Sequence, residues 1–287
     1  MKKRGFFMKK IAWITDSTCG LSQEFIDQHN IFVLPMIVII NNISYREDID
    51  ITKDEVYELL RQYGEGAKTS QPTFGEFVEL YKELKEDYEL GIAIHASSEL
   101  TGTYQSSISA AKMEGFNIEV IDSKIGSYAL GKMIKNGIKM EQEGKSYEEI
   151  VKVLKTYPDK TEMYLLPKNM EQLKRSGRVS STQAVFANLL KINLILQFDN
   201  GKVIVEEKIR SQKKAIQHLF NKIEEIHKSG VVDEIGIMHA GAKEVAEQWK
   251  EELKSLYTNL KFKIEPLVPV AGIHTGHGTM AIAWLKA

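Results

Sequence analysis

Residues 90–105 read LGIAIHASSELTGTYQ, an apolar run that ends in a cluster of hydroxyl side chains. The run from Leu90 to Ala96 is typical of a short strand buried in a parallel sheet. The hydroxyl cluster consists of Ser97, Ser98, Thr101 and Thr103. At the carboxyl end of such a strand and before a helix, these groups would present neutral donors to an anion. The stretch therefore predicts a site for a small acid, although any single hydroxyl could serve only as a helix N-cap.

Strands alternate with helices on both sides of this stretch. Buried strands are predicted at 11–15 and 117–121, and each is followed by an Asp-Ser pair. Three helices carry start signals, namely an N-cap at Thr52 and capping boxes at Thr73 with Glu76 and at Ser146 with Glu149. Because this alternation is the pattern of a parallel α/β fold, residues 8–160 are predicted to form a Rossmann-like N-terminal domain.

Residues 161–287 are predicted to form a second domain of the α+β class. Asn200-Gly201 between two alternating runs indicates an antiparallel hairpin over 192–209. A helix is predicted just before it, with the apolar residues Val185, Phe186, Leu189 and Leu190. The chain is predicted to close with a glycine-rich loop at 272–278 and a short apolar helix that ends at Trp284.

The composition excludes several classes of function. The chain has 287 residues and a formal net charge of −1, so it has no basic field that would attract nucleic acid or an anionic membrane. No window holds the ~20 apolar residues of a membrane span. The single cysteine, Cys19, excludes an internal disulfide and fits a reducing compartment, so we expect a cytoplasmic location. MKK occurs at Met1 and again at Met8, and residues 1–7 are therefore excluded from the fold prediction.

Other patterns have simpler interpretations. The stretch GEGAKTSQP at 64–72 is similar to a phosphate-binding loop, but Ala67 stands where that pattern needs a glycine before the lysine. His274 and His277 could ligate a metal, but a structural zinc site needs four ligands. His95 lies within an apolar strand and is predicted to be a hydrogen-bonded core histidine.

Six stretches in order resemble the successive motifs of the DegV family. They are ITDSTCGL (14–21), KTSQP (68–72), SSELTGTYQS (97–106), DS (122–123), LKRSGRVS (173–180) and GIHTGHGT (272–279). The resemblance implies an α/β N-terminal half, a C-terminal half built on a largely antiparallel sheet, and a long-chain fatty acid of the palmitate or oleate class held between them. It also implies a separate ATP-dependent fatty acid kinase that phosphorylates the carboxylate of the bound acid. The protein would then be a carrier with no catalytic residue, no metal and no cofactor besides the fatty acid.

The same resemblance assigns the ligand's carboxylate to Thr69, Thr101 and His274. Ser97 and Ser98 adjoin them, and the glycines expected to shape the surrounding loops are Gly102, Gly272, Gly276 and Gly278. The sequence departs from the family pattern in three places. Thr101 replaces a serine, His277 replaces a proline, and Lys191-Ile192-Asn193 stands where relatives often have Lys-Pro.

Two questions stay open at the level of sequence. Arg210, close to Lys208, Lys213 and Lys214, is either a solvated helix start or, as the resemblance suggests, part of a docking patch for an acidic surface on the kinase. The leading function is fatty-acid binding, since a fatty acid needs one polar anchor and a long apolar tunnel. The alternative is a hydrolase or another enzyme that acts on a small carboxylate or phosphate in the same cleft.

Overall fold

The structure is a computed structural model that describes residues 11–64, 66–180 and 192–287. In chain order its strands are β1 (Ile11–Asp16), β2 (Ile31–Leu34), β3 (Ile37–Ile40), β4 (Ile43–Arg46), β5 (Lys68–Ser70), β6 (Leu90–His95), β7 (Ile118–Asp122), β8 (Thr161–Leu166), β9 (Asn193–Asp199), β10 (Lys202–Ile209), β11 (Glu234–His239), β12 (Lys261–Pro266) and β13 (Met280–Leu285). Its helices are α1 (Gln23–His29), α2 (Lys53–Tyr63), α3 (Phe74–Asp87), α4 (Thr103–Glu114), α5 (Ser127–Gln142), α6 (Tyr147–Leu154), α7 (Met170–Ser176), α8 (Gln212–Ser229), α9 (Lys243–Leu256) and α10 (Pro269–Thr275). Within these ranges, no helix is both long and apolar enough to cross a membrane.

The N-terminal sheet is parallel, with strand order β2-β1-β6-β7. Every residue of β1 and β6 is buried. Trp13 and Ile92 face the side covered by α5 and α6, whereas Ile14 and Ala93 face α3 and α4. Because helices cover both faces, these strands are apolar at successive positions. The predicted parallel α/β architecture is confirmed.

The C-terminal sheet has strand order β10-β9-β8-β13-β11-β12. Its neighbouring strands are antiparallel except for β11 and β12, which are parallel. The expected largely antiparallel sheet is therefore confirmed. In the predicted hairpin, Asn200 and Gly201 both have positive φ, of 46° and 84°, as a tight turn between twisted strands requires.

The prediction for the end of the chain is wrong. Residues 272–275 of the predicted loop belong to α10, which spans Pro269–Thr275, and Met280–Leu285 forms β13 where a helix was expected. All six residues of β13 are buried, and it pairs with β8 on one side and β11 on the other. In so short a run of apolar residues, the spacing of hydrophobic positions does not distinguish a buried strand from a buried helix.

A small antiparallel sheet in the N-terminal half was also missed. The apolar run at 31–40 by itself predicts one strand that is interrupted at Pro35. Instead β2 joins the parallel sheet, and β3 lies at the centre of a separate sheet with order β4-β3-β5. Pro35 has no N–H to donate to a ladder, and the chain passes from one sheet to the other at that residue.

The start signals of the helices are confirmed. Thr52, Thr73 and Ser146 each accept a hydrogen bond from the backbone N–H three residues on, and the glutamate at that position bonds back to the cap. The helix predicted around Val185 and Leu189 lies outside the described residues. The division into domains 8–160 and 161–287 stays a prediction, and one hydrophobic cluster contains both Trp13 and Ala283.

Candidate functional site

A cavity of about 410 Å³ lies where the carboxyl end of the parallel sheet meets the antiparallel sheet. Its volume is in the range of small-molecule sites, which is roughly 300–1,000 Å³. Most of its lining is apolar and comes from both halves of the chain. The apolar lining residues are Met36, Ala96, Leu100, Ile125, Met163, Leu165, Leu173, Val179, Leu196, Phe198, Val203, Val268, Val270 and Ala271.

Thr69 and His274, which we call the anchor pair, join the two halves at the wall of this cavity. Thr69 Oγ1 and His274 Nε2 are 2.9 Å apart. Thr69 lies on β5 opposite the fully buried Val38, and side chains on such paired positions point to the same face of a sheet. His274 lies on α10 one helical turn from Val270 and Ala271, which line the cavity too.

The anchor pair is uncharged at neutral pH. Burial, together with the positive charge of Arg178, lowers the pKa of His274 from 6.5 to about 4. A neutral imidazole and a hydroxyl can each donate or accept a hydrogen bond. They can therefore hold a carboxylate or a carboxylic acid without burying a second charge.

Thr101 lines the cavity as well, at the start of α4. Its Oγ1 lies 2.8 Å from Oγ1 of Thr103, which is fully buried. Gly102, between them, also lines the cavity, and a Cβ there would come within 2.5 Å of the side-chain oxygen of Gln71. Glycine at this position therefore allows Gln71, another lining residue, to lie across the helix start.

Ser97 and Ser98 do not line the cavity. Ser97 is fully buried, and its Oγ donates to the carbonyl of Gly201 at 2.6 Å. Ser98 is exposed, and its Oγ donates to Oδ2 of Asp122 at 2.5 Å. Ser97 thereby connects the turn after β6 to the hairpin, and Ser98 connects it to the end of β7. The hydroxyl groups that were predicted to form one cluster therefore do not all face the cavity.

The three C-terminal glycines shape the backbone around the cavity and do not line it. Gly272 lies inside α10, where a Cβ would clash with the ring of Tyr57 on α2. Gly276 and Gly278 have φ of 96° and 88°, which favour glycine. His277 lies outside the cavity and lines a different hollow beside Tyr57.

Arg178 and Ser127 are among the polar lining residues that were not singled out from the sequence. Arg178 follows α7 within the LKRSGRVS stretch, and its Nη1 donates to the carbonyl of Ser176 at 3.0 Å. Ser127 begins α5 with φ of 59°, and in the described part of the chain its buried Oγ has no hydrogen-bond partner. A buried hydroxyl without a partner is unusual. It marks a second place in the cavity where a ligand or water would find a donor.

A buried Asp-His-Ser series bears on the hydrolase alternative. His95 Nδ1 lies 3.0 Å from Oδ2 of Asp16, and its Nε2 lies 3.0 Å from Oγ of Ser107. All three side chains are fully buried and none lines the cavity, while Ser107 Oγ also contacts the hydroxyl of Tyr81. Asp16 further accepts from the backbone N–H of Ala96. These hydrogen bonds therefore connect the ends of β1 and β6 to α4, away from the cavity. His95 is a hydrogen-bonded core histidine, as the sequence predicted.

The sequence matches a known protein family over nearly its whole length. The model of the family described as "Uncharacterised protein, DegV family" matches residues 10–287. The chain belongs to the DegV family. Protein DegV of Bacillus subtilis is 36% identical over 282 residues, which cover 96% of this chain and 98% of that protein.

Two solved structures of DegV proteins are closely similar to this one. DegV from Bacillus subtilis, described as a fatty acid binding protein, has a TM-score of 0.88 and 33% identity over 97% of this chain and 100% of its own. A fatty acid binding DegV family protein from Streptococcus agalactiae has a TM-score of 0.89 and 29% identity over 97% of this chain and 99% of its own.

Proposed function

We propose that this protein binds one long-chain fatty acid of the palmitate or oleate class, with its carboxyl group at the anchor pair and its chain in the apolar cavity. The observation that carries this proposal is the bond between Thr69 and His274 at the wall of a cavity that is otherwise largely apolar. The two solved relatives described as fatty-acid-binding proteins support it. Thr101, on the same cavity, is a further candidate partner for the carboxyl group.

The apolar chain supplies most of the affinity in this proposal. Burial of a sixteen-carbon chain contributes about 12 kcal/mol at ~0.8 kcal/mol per methylene. Association costs roughly 4–15 kcal/mol. One hydrogen bond to the carboxyl group adds about 1.5–3 kcal/mol if the acid is ionised. The anchor pair therefore chiefly sets where the carboxyl group lies.

We further propose that the bound acid is presented to a separate ATP-dependent fatty acid kinase in the cytoplasm. The family resemblance supports this role, and the protein would act as a carrier of the reacting carboxylate. Arg210 is our candidate for the docking surface. It is exposed directly after β10, where Asn193 Nδ2 donates to its backbone carbonyl at 3.2 Å, and the exposed Lys213 and Lys214 follow it.

Equilibrium binding of palmitate to protein stripped of lipid tests the proposed ligand. Ala271→Phe adds bulk at a lining position of α10 and is expected to weaken palmitate binding by about ten-fold or more. Val245→Phe introduces the same aromatic side chain on the exposed face of α9 and should leave affinity unchanged. Equal affinity in both variants, with both folded by circular dichroism, would place the ligand elsewhere.

A further inference from the structure

Two lysine side chains meet where α5 packs beside β12, the edge strand of the C-terminal sheet. The amines of Lys135 on α5 and Lys263 on β12 lie within hydrogen-bond distance of each other. We call these two lysines the amine pair. Lys135 is half-buried, and its Nζ lies 5.5 Å from the centre of the Phe25 ring. Neither lysine lines the apolar cavity, so the amine pair is separate from the ligand site.

The surroundings of the amine pair favour a proton on Lys263. Lys263 forms an ion pair with Glu265, which lies two positions along the same face of β12. Glu234 is the other carboxylate near the pair, and its Oε1 already accepts a hydrogen bond from Lys132 at 2.8 Å. Among the described residues, no carboxylate forms an ion pair with Lys135. Lys135 is therefore the member of the pair without a counter-charge of its own.

Two ammonium groups cannot bond to each other, because each has only donors. One amine of the pair must be neutral to accept the hydrogen bond. Partial burial and the positive charge of Lys263 lower the pKa of Lys135 from 10.5 to about 8. Burial acts against the charged form of Lys263 too, but the ion pair with Glu265 raises its pKa. Lys135 is thus the neutral member, and a lysine beside another cation is an activated nucleophile.

We propose that Lys135 is a site of covalent modification by acyl phosphates, which leave an amide on its side chain. The nitrogen lone pair attacks the carbonyl carbon, the bond from that carbon to the phosphate oxygen breaks, and inorganic phosphate leaves with the bonding electrons. The nitrogen then loses its proton to water. The ammonium group of Lys263 lies beside the reacting nitrogen, where it can donate a hydrogen bond to the departing phosphate. Neither the cavity nor the anchor pair takes part, so this reaction does not depend on fatty-acid binding.

Acetylation of the full chain by acetyl phosphate tests this site, with the rate at each lysine measured by peptide mass spectrometry. Lys139 is the internal control, because it lies one turn further along α5, is exposed, and has its Nζ 3.8 Å from Glu143. Near neutral pH, Lys135 should react about ten-fold or more faster than Lys139. The rate at Lys135 should level off above about pH 8, whereas the rate at Lys139 should keep rising to about pH 10.

A matched pair of substitutions tests the part played by Lys263. Lys263→Gln should slow acetylation of Lys135 by about ten-fold and leave Lys139 unchanged. Lys254→Gln removes an exposed cation from α9, on the opposite face of the sheet, and should change neither rate. Circular dichroism checks that both variants fold. Equal effects of the two substitutions on Lys135 would overturn the assignment. In the wild-type protein, equal rates at Lys135 and Lys139, or the same rising pH profile at both, would overturn it without any variant.

Discussion

At the scale of single residues, a carboxyl group beside Thr69 and His274 would meet neutral partners, because burial holds the pKa of His274 down to about 4. A neutral anchor adds little to affinity compared with the buried chain. It can still fix the position of the carboxyl oxygens within hydrogen-bond distance. Binding and phosphorylation of the acid should therefore respond differently when the anchor is changed.

The His274→Ala variant should still copurify with lipid, but the kinase should phosphorylate its bound fatty acid much more slowly. Loss of one hydrogen bond costs roughly 1–3 kcal/mol of binding. A carboxyl group misplaced by ~1 Å can lose about 100-fold in rate. The measurement is bound lipid per protein beside the rate of acyl-phosphate formation. Thr69→Ala and Thr101→Ala should show the same asymmetry, and His277→Ala, outside the cavity, is the control. A larger effect at His277 than at His274 would contradict the assignment.

Glu47 fixes the start of the helix that carries His274. Its carboxyl group is buried, contacts the hydroxyl of Ser17 at 2.5 Å and accepts from the N–H of Val270 at 3.0 Å. Burial raises its pKa from 4.5 to about 8. The folded protein therefore holds this proton more tightly than the unfolded chain does. This contribution to stability is fully present below pH 4.5 and is lost as the pH rises through about 8.

Glu47→Gln should remove this pH dependence, since glutamine resembles the protonated form. Relative to wild type, the variant should gain up to about 5 kcal/mol of unfolding free energy between pH 4.5 and pH 8.5. Chemical denaturation of both proteins across that range measures the difference. A difference that does not change with pH would show that Glu47 ionises freely in the folded protein.

The motifs predicted part of the site, and contacts from distant parts of the chain decided the rest. Thr69, Thr101 and His274 all lie on one cavity, as the family resemblance implied. The hydroxyl of Ser97 instead meets a carbonyl of the hairpin, a contact 104 positions away in sequence. Arg178 reaches the cavity because its segment pairs with β10. Such contacts depend on tertiary packing, which local patterns do not encode.

At the scale of elements, the sequence predicted those features that depend on contacts between residues close together in the chain. Capping boxes start α2, α3 and α6 at the expected residues, because the cap bonds lie within four positions of sequence. The Asn-Gly turn likewise fixed the hairpin. The identity of β13 as a strand depends on β8 and β11, its partners on either side. Those partners are far away in sequence, and the apolar run alone did not reveal them.

Gly272→Ala should destabilise the contact between α10 and α2. The added methyl group would clash with the ring of Tyr57, whose hydroxyl donates to the carbonyl of Leu267 at 2.5 Å. We expect a loss of about 1–3 kcal/mol of unfolding free energy, as for other overpacked cores.

A double-mutant cycle with Tyr57→Leu separates packing from other causes. In the Tyr57→Leu background, Gly272→Ala should cost clearly less, because the ring that it would meet is gone. Additive losses in the two single variants would mean that Gly272 is required for a reason other than this contact.

At the scale of the whole molecule, several bonds join the two halves around the cavity. They include Thr69 to His274, Ser97 to the carbonyl of Gly201, and Glu47 to the N–H of Val270. The cavity therefore lies at the interface between the two halves.

Arg210→Ala should slow phosphorylation by the kinase and leave the lipid content unchanged. Charge complementarity mainly raises association rate, so the defect should shrink as salt concentration increases. Lys152→Ala, which removes an exposed cation from α6, is the control. Loss of bound lipid in Arg210→Ala would move this residue from the docking surface to the ligand site.

The lipid content of the purified protein tests the central claim most directly. The protein is expressed in a bacterial host, denatured by heat and extracted with organic solvent, and the extract is quantified by mass spectrometry. We predict a long-chain fatty acid near one equivalent per chain, because the cavity is largely apolar and polar at the anchor pair. An extract without lipid, from a protein that also fails to bind added palmitate or oleate, would contradict the account.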